Sequence, residues 1–240
     1  MGYLIKNTKP IALFLLLTWL FTLSAAGPLS AAEKSSADPE PHEVRAQIES
    51  AVLRLAKGEF REALLILRKA EESAPENVDI ANFIGLAYYG MREYDQAAES
   101  YRRALALNPG RSDVRNSFGL VRLAQRNYDL AMAEFEACLG DQNYKKKHLP
   151  LCNIALIHME QGRDDPALAA LNRAMELAPN YAKSYYLTGR LYKKQGDCRR
   201  ALGFLKTAVR LDPGNAEAFK ALSDCQTDLA VTDVFENSPQ

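Results

Sequence analysis

The sequence predicts an all-α fold, an α-solenoid of five helix-pair repeats closed by one C-terminal capping helix. Three observations carry this. Small residues recur on a fixed beat: Ala63, Ala97, Ala131, Ala167 and Ala201 follow one another at 34 residues, with one step of 36. Ala51, Gly85, Gly119, Ala155 and Gly189 keep the same steps, as do Ala70, Ala104, Cys138, Ala174 and Ala208. Such a period marks one supersecondary unit stacked many times. Within each unit two apolar stripes run at helical spacing; in the second they are Ala81, Ile84, Gly85 and Tyr88, then Tyr94, Ala97, Ala98, Tyr101, Ala104 and Leu105. Proline then stops the second stripe, as Pro75, Pro109, Pro179 and Pro213, because it cannot continue a helix and disfavours helical geometry before it.

Residues 1–32 have the order of a secretory signal peptide. Lys6 and Lys9 make a basic start and no acid precedes Glu33. Ile11 to Leu23 is apolar except for Thr18 and Thr22, and Ser30-Ala31-Ala32 offers small residues for cleavage. The run is short of the roughly 20 residues a membrane span needs. The alternative is an uncleaved N-terminal anchor. The cleavage region has no cysteine, so the segment is not a bacterial lipoprotein signal, and no membrane span is expected once it is removed. Residues 33–41, rich in Ser, Pro and charge, read as a linker.

The helical array is expected over 42–230, with repeats at about 44–77, 78–111, 112–147, 148–181 and 182–215 and a cap at 216–230. The third repeat carries the two extra residues. It has Asn143 where its neighbours have proline, followed by Lys145-Lys146-Lys147. That run reads as a solvated loop, or as a contact for a phosphate or an acidic partner. The cap is expected to turn Phe219 and Leu222 inward and Lys220, Asp224 and Asp228 outward. Residues 231–240 lack an apolar period and read as a disordered tail.

Hydrophobic residues make up 48% of the chain, ordinary for a globular protein. Basic and acidic residues balance at 30 each, so no global field points to nucleic acid. His42, His148 and His158 are scattered without metal-ligand spacing, and there is no G-x-S-x-G and no phosphate-binding G-x-x-x-x-G-K-[ST] loop. The expectation is a protein that is not an enzyme and has no cofactor, metal site or nucleic-acid partner. Export permits disulfides. Cys138 and Cys152 fall at neighbouring helix ends, and so do Cys198 and Cys225. The two candidate bridges are therefore Cys138–Cys152 and Cys198–Cys225. The alternative is buried thiols serving as small hydrophobes, notably Cys138 in an alanine slot.

The pattern resembles the tetratricopeptide repeat (TPR) family. The matching residues are Gly85, Tyr88, Tyr94, Ala97, Tyr101, Ala104 and Pro109 in the second unit, and Gly189, Tyr192, Gly196, Ala201, Ala208 and Pro213 in the fifth. Ala51, Gly58, Phe60, Ala63, Ala70 and Pro75 match in the first; Ala155, Gly162, Ala167, Ala174 and Pro179 match in the fourth. The resemblance implies a right-handed superhelix whose first helices line a concave groove through their second, fifth, ninth and twelfth positions. Those positions hold Arg45, Ile48, Val52 and Leu55; then Asp79, Asn82, Leu86 and Tyr89; then Asp113, Asn116, Leu120 and Leu123. In the last two units they hold Leu149, Cys152, Leu156 and Met159, then Lys183, Tyr186, Arg190 and Lys193. The implied groove is apolar in its middle, with Asn82 and Asn116 as hydrogen-bonding amides, and basic at its C-terminal end. A protein or peptide with apolar anchors and an acidic end suits it. Ile48 and Val52 stand where chaperone-binding members keep a carboxylate clamp.

A narrower resemblance is to the exported TPR proteins of type IV pilus biogenesis and stability, the pilotin-like group. It rests on Asn116-x-x-Gly119, on Ala131-x-x-x-Phe135, on a lengthened junction with Tyr144, and on Leu151-Cys152-Asn153-Ile154-Ala155. It implies a protein that is soluble in the periplasm, or held at the outer membrane through a partner, and that assists secretin assembly or pilus stability. The alternatives are a generic periplasmic adaptor for cytochrome or cell-wall assembly and a non-catalytic subunit of an enzyme complex.

Overall fold

A computed structural model describes residues 42–236. The expected signal segment, the linker and the last four residues lie outside the described residues. Among the described residues there are eleven helices and no strand: α1 His42–Lys57, α2 Phe60–Ser73, α3 Val78–Gly90, α4 Tyr94–Leu107, α5 Ser112–Ala124, α6 Tyr128–Gly140, α7 His148–Glu160, α8 Asp164–Leu177, α9 Ala182–Lys194, α10 Cys198–Leu211 and α11 Ala216–Glu236. They fall into two compact units that divide after Asn127, one holding α1–α5 and the other α6–α11.

The beat of the sequence is set first by a turn. Gly58, Gly162 and Gly196 have φ of 77°, 70° and 78°, and Arg92 and Arg126 occupy the same register at 64° and 61°. Each residue ends the first helix of its repeat in a left-handed cap. The next amide reaches back five residues, as in Glu59 N to Arg54 O at 3.0 Å, Glu93 N to Tyr88 O at 2.9 Å and Asp197 N to Tyr192 O at 2.9 Å. The residue making that bond then opens the second helix: Glu59, Glu93, Arg163 and Asp197 accept through their carbonyls from Ala63, Ala97, Ala167 and Ala201. Side chains start other helices. Asn77 Oδ1 accepts from Ile80 N at 3.0 Å, and Asn215 Oδ1 from Ala218 N at 2.9 Å.

Packing explains the small residues. In the first unit Ala63, Ala97, Ala70 and Ala104 have no exposed surface. In the second, Ala131, Ala167, Ala201, Ala174, Ala208 and Cys138 are equally closed. Larger side chains fill the remaining space: Leu67, Ile84 and Tyr101 in the first unit, and Phe135, Leu171, Leu187 and Leu205 in the second, are almost wholly buried. First helices also touch along the array, α1 with α3 and α3 with α5, α7 with α9 and α9 with α11.

The junction after α6 is built as a turn. Asp141 accepts the Asn143 amide on Oδ1 at 2.8 Å, and Pro150 sits in the first turn of α7, where its missing N–H costs nothing. The cap departs from expectation twice. It runs to Glu236, six residues beyond the expected end at 230, so 231–236 is helical and not an irregular tail. Its buried face is Ala218, Ala221 and Cys225, with Leu222 and Leu229 partly covered, whereas Phe219 is 62% exposed. One residue past Ala218 is a rotation of about 100°, which carries Phe219 off the face that meets the array. Asp224, expected outward, is half-buried beside α9.

Candidate functional site

In the first unit the inner-helix positions are largely closed. Leu86 and Leu120 keep 7% exposure each, and Ile48, Val52 and Leu55 are buried. Asn116, expected to offer its amide to a ligand, is buried at 2%, which corrects its role to a core amide. Tyr89 is half-buried and turns toward α4. Its ring centroid lies 5.9 Å from that of Tyr94, and it packs on the cluster of Ala97, Ala98 and Tyr101. Burial, with Tyr94 adding, pushes its phenol up to about 12. Asn82 and Leu123 remain half-exposed.

The polar end of this face is organised by Arg111, which lies outside the repeat positions that line the implied groove. Arg111 pairs through Nη2 with Asp79 at 2.8 Å, and donates from Nε and Nη2 to Asp113 at 2.9 and 2.8 Å. Burial pushes the Asp113 carboxyl up, but the Arg111 hydrogen bonds and charge outweigh it and hold the acid below its ordinary range. Asp79 and Asp113 are thereby committed to the protein. No apolar period marks Arg111, but its place just before α5 and two residues from Asp113 is a readable ion-pair signal.

The second unit presents a different inner face, formed by α7, α9 and α11. Its side chains reach from one first helix to the next at a sequence offset of 30 or 31. Lys183 Nζ donates to Asn153 Oδ1 at 3.5 Å, and Arg190 Nη2 lies 3.9 Å from Met159 Sδ. Tyr186 donates its hydroxyl to Glu217 at 3.0 Å, and Lys193 pairs with Asp224 at 2.6 Å. The Arg190 guanidinium also stands 5.8 Å from the Tyr186 ring centroid. Met159 keeps 7% exposure and Leu156 is half-exposed. The expected basic end is therefore only partly free. Lys193 is neutralised by Asp224, and Lys194 leans on Asp164 at 3.6 Å. Lys183 and Arg190 meet no carboxylate among the described residues. Burial, with Arg190 adding and Cys152 opposing, holds the Lys183 ammonium below the ordinary lysine range. Asn153, Glu217 and Asp224 lie outside the positions mapped from sequence; the shared offset between successive first helices is what identifies them.

The cysteines divide. Cys198 and Cys225 stand side by side with Cα atoms 5.1 Å apart, inside the window of about 4.4–6.8 Å that a bridge requires. Cys152 is a free buried thiol, so the expected Cys138–Cys152 bridge is not formed. Cys152, on α7, has no exposed surface, and burial pushes its thiol up to about 12. Cys138 is fully buried in the slot that alanine fills in the other repeats. Among the described residues no helix is long and apolar enough to cross a membrane.

Models of the tetratricopeptide repeat match residues 82–145 and 146–213. No curated protein matches the chain. Among solved structures, one from the functional characterization of Pseudomonas aeruginosa pilF is 20% identical. It superposes with a TM-score of 0.66 over 82% of this chain and 93% of that one. PilW, described as a widely conserved type IV pilus biogenesis factor, is also 20% identical at a TM-score of 0.66, over 82% and 96% of the two chains. YrrB, described as a TPR protein with an unusual peptide-binding site, is 22% identical at a TM-score of 0.51, over 73% and 89%. At these identities the likeness is one of fold. The left-handed turns, the closed alanine seams and the two contiguous model matches describe the same unit: the chain belongs to the tetratricopeptide repeat family.

Proposed function

We propose that the protein is an exported scaffold that assembles or stabilises an envelope complex, and that this complex is the type IV pilus machinery, with an outer-membrane secretin as the leading partner. The observation that carries a binding role is the inner face of the second unit. Among the described residues Lys183 and Arg190 meet no carboxylate there; Arg190 stands against Met159 and Tyr186, and Leu156 shares a helix with Met159. Two cations held against apolar side chains are an incomplete arrangement, and an acidic residue flanked by apolar anchors completes it. The pilus assignment is supported by the export signal expected at 1–32, by the lengthened third repeat and by the fold shared with PilF and PilW. A periplasmic location follows from the same reading.

Capture from the envelope extract of a pilus-bearing host tests this. The wild-type protein is expected to retain a pilus component. Leu156→Asp and Met159→Asp in the second unit are expected to lose it, while Leu86→Asp in the first unit reports on that face separately. Circular dichroism of each variant controls for folding. Retention of envelope proteins that include no pilus component would remove the pilus assignment and leave a scaffold for other envelope machinery.

A further inference from the structure

The first unit shows how a repeat closes the crevice between its second helix and the following first helix. Tyr88 of α3 lies against α2, where Arg68 Nη2 donates to the Tyr88 hydroxyl at 3.1 Å with the guanidinium 5.9 Å from the ring centroid. Phe60 and Leu64, at successive turns of α2, pack on the same apolar cluster as Tyr88. Two repeats later the register places Tyr128, Met132 and Glu136 of α6 where Phe60, Leu64 and Arg68 stand, and His158 of α7 where Tyr88 stands. The imidazole does not fill the space. A cavity of about 340 Å³ opens there, walled by Tyr128, Met132, Glu136, Ile154, Ile157 and His158. That is within the roughly 300–1,000 Å³ of small-ligand pockets. His158 Nδ1 is buried and meets no partner among the described residues.

We propose that this cavity is a socket for a tyrosine side chain of a partner protein. The chain itself supplies the argument for that occupant, since the equivalent crevice in the first unit is filled by a tyrosine. The walls contributed by Met132, Ile154 and Ile157 take an aromatic ring. The polar end offers the unpaired nitrogen of His158 and the carboxylate of Glu136, which replaces the Arg68 donor with an acceptor. A phenol hydroxyl donates to such groups; phenylalanine has nothing to donate. An acidic side chain is repelled by Glu136 and by Asp129 at the rim. The inference rests on the scaffold reading only for the source of the tyrosine.

The test uses the full chain and two probes: p-cresol, which is the tyrosine side chain, and toluene, which lacks the hydroxyl. In wild-type protein p-cresol is expected to shift the methyl resonances of Met132 and Ile157 saturably, with toluene at least tenfold weaker. His158→Tyr rebuilds the filled crevice of the first unit. It is expected to abolish the shifts and to raise the melting temperature, so loss of binding cannot be assigned to unfolding. The socket is overturned by an absence of saturable shifts, by toluene binding as well as p-cresol, or by shifts that persist in His158→Tyr. Partner capture from envelope extract separates the two readings. Capture without p-cresol binding removes the socket alone; p-cresol binding without capture removes the scaffold alone.

Discussion

Gly85 of α3 lies so close to the Tyr101 ring of α4 that a β-carbon at position 85 would stand 2.8 Å from Tyr101 Cε1. Tyr101 is 1% exposed and has no free direction in which to move. Gly203, in the middle of α10, has nothing within 4 Å of the same constructed atom. The two helical glycines should therefore respond to alanine with opposite signs. Gly85→Ala is expected to cost about 1–3 kcal/mol through overpacking. Gly203→Ala is expected to gain up to about 1 kcal/mol from helix propensity. Urea denaturation of both variants measures this, and a stabilised Gly85→Ala would contradict the packing assigned to the α3–α4 seam.

The five turns with positive φ make a second set. A β-carbon at Gly58, Gly162 or Gly196 meets nothing within 4 Å, so any cost of alanine there is backbone strain alone. Each Gly→Ala is expected to lose about 1–2 kcal/mol, the penalty for an L-residue held left-handed. Arg92→Gly and Arg126→Gly relieve the same strain at φ of 64° and 61°. Thermal melts should rank the arginine variants at or above wild type and the alanine variants below it.

Cysteine chemistry should split along the line drawn by the structure. Non-reducing mass spectrometry of the protein is expected to find Cys198 linked to Cys225, a separation of 27 residues. Closing a loop of that length contributes about 3–4 kcal/mol, so reduction should lower the melting temperature. Cys152, with its thiol pushed up to about 12, should resist thiol reagents at neutral pH until the chain unfolds, because the thiolate is the reactive species. Cys138→Ala places in the third repeat the residue found at Ala70, Ala104, Ala174 and Ala208, and is expected to be nearly neutral.

Acid should weaken the second unit through its histidines. Burial, with Lys146 adding, holds His148 below the ordinary histidine value, and its ring lies edge-on to Tyr181 at 4.7 Å. His158 is shifted the same way by burial and Arg163. A base whose folded pKa lies below its unfolded value is neutral by preference when folded. Its contribution is complete above the unfolded value of about 6.5 and is lost as pH falls through the folded value. Melting temperature is therefore expected to drop between pH 7 and pH 5. His148→Phe should flatten part of that drop, and an unchanged slope would show that His148 does not carry it.

How far the fold can be read from sequence depends on how local each constraint is. The alanine seams and left-handed turns are local: Gly58, Gly162 and Gly196 announce the turns, and Ala63 to Ala201 announce the close approaches. The interior pairings are less local. Leu86, Leu120 and Met159 lie on first helices, but repeat position alone does not tell a groove side chain from a core one. Asn116 is buried at 2%, and Tyr89 turns toward Tyr94. Phe219 was misplaced because an amphipathic stripe in a cap is read from one face only, and a shift of one residue moves it into solvent. The His158 cavity was invisible because it arises from a missing volume, which shows only when the tyrosine register is compared repeat by repeat.

Lys183, Arg190 and Lys193 belong to one helix and look alike in sequence, but among the described residues only Lys193 has a carboxylate, Asp224 at 2.6 Å. A partner acid gains most from the two cations without one, because a cation already paired gives up that pair to bind anything else. Lys183→Glu and Arg190→Glu are therefore expected to weaken partner binding by tenfold or more each. Lys193→Gln is expected to change it by less than about threefold. Raising salt should weaken the wild-type complex and have less effect on the charge-reversed ones, since the screened attraction is absent from them. Titration calorimetry with the captured partner measures all of these. Equal losses at Lys183, Arg190 and Lys193 would mean that binding reads the net charge of α9, and the special standing of the unpaired cations would fall.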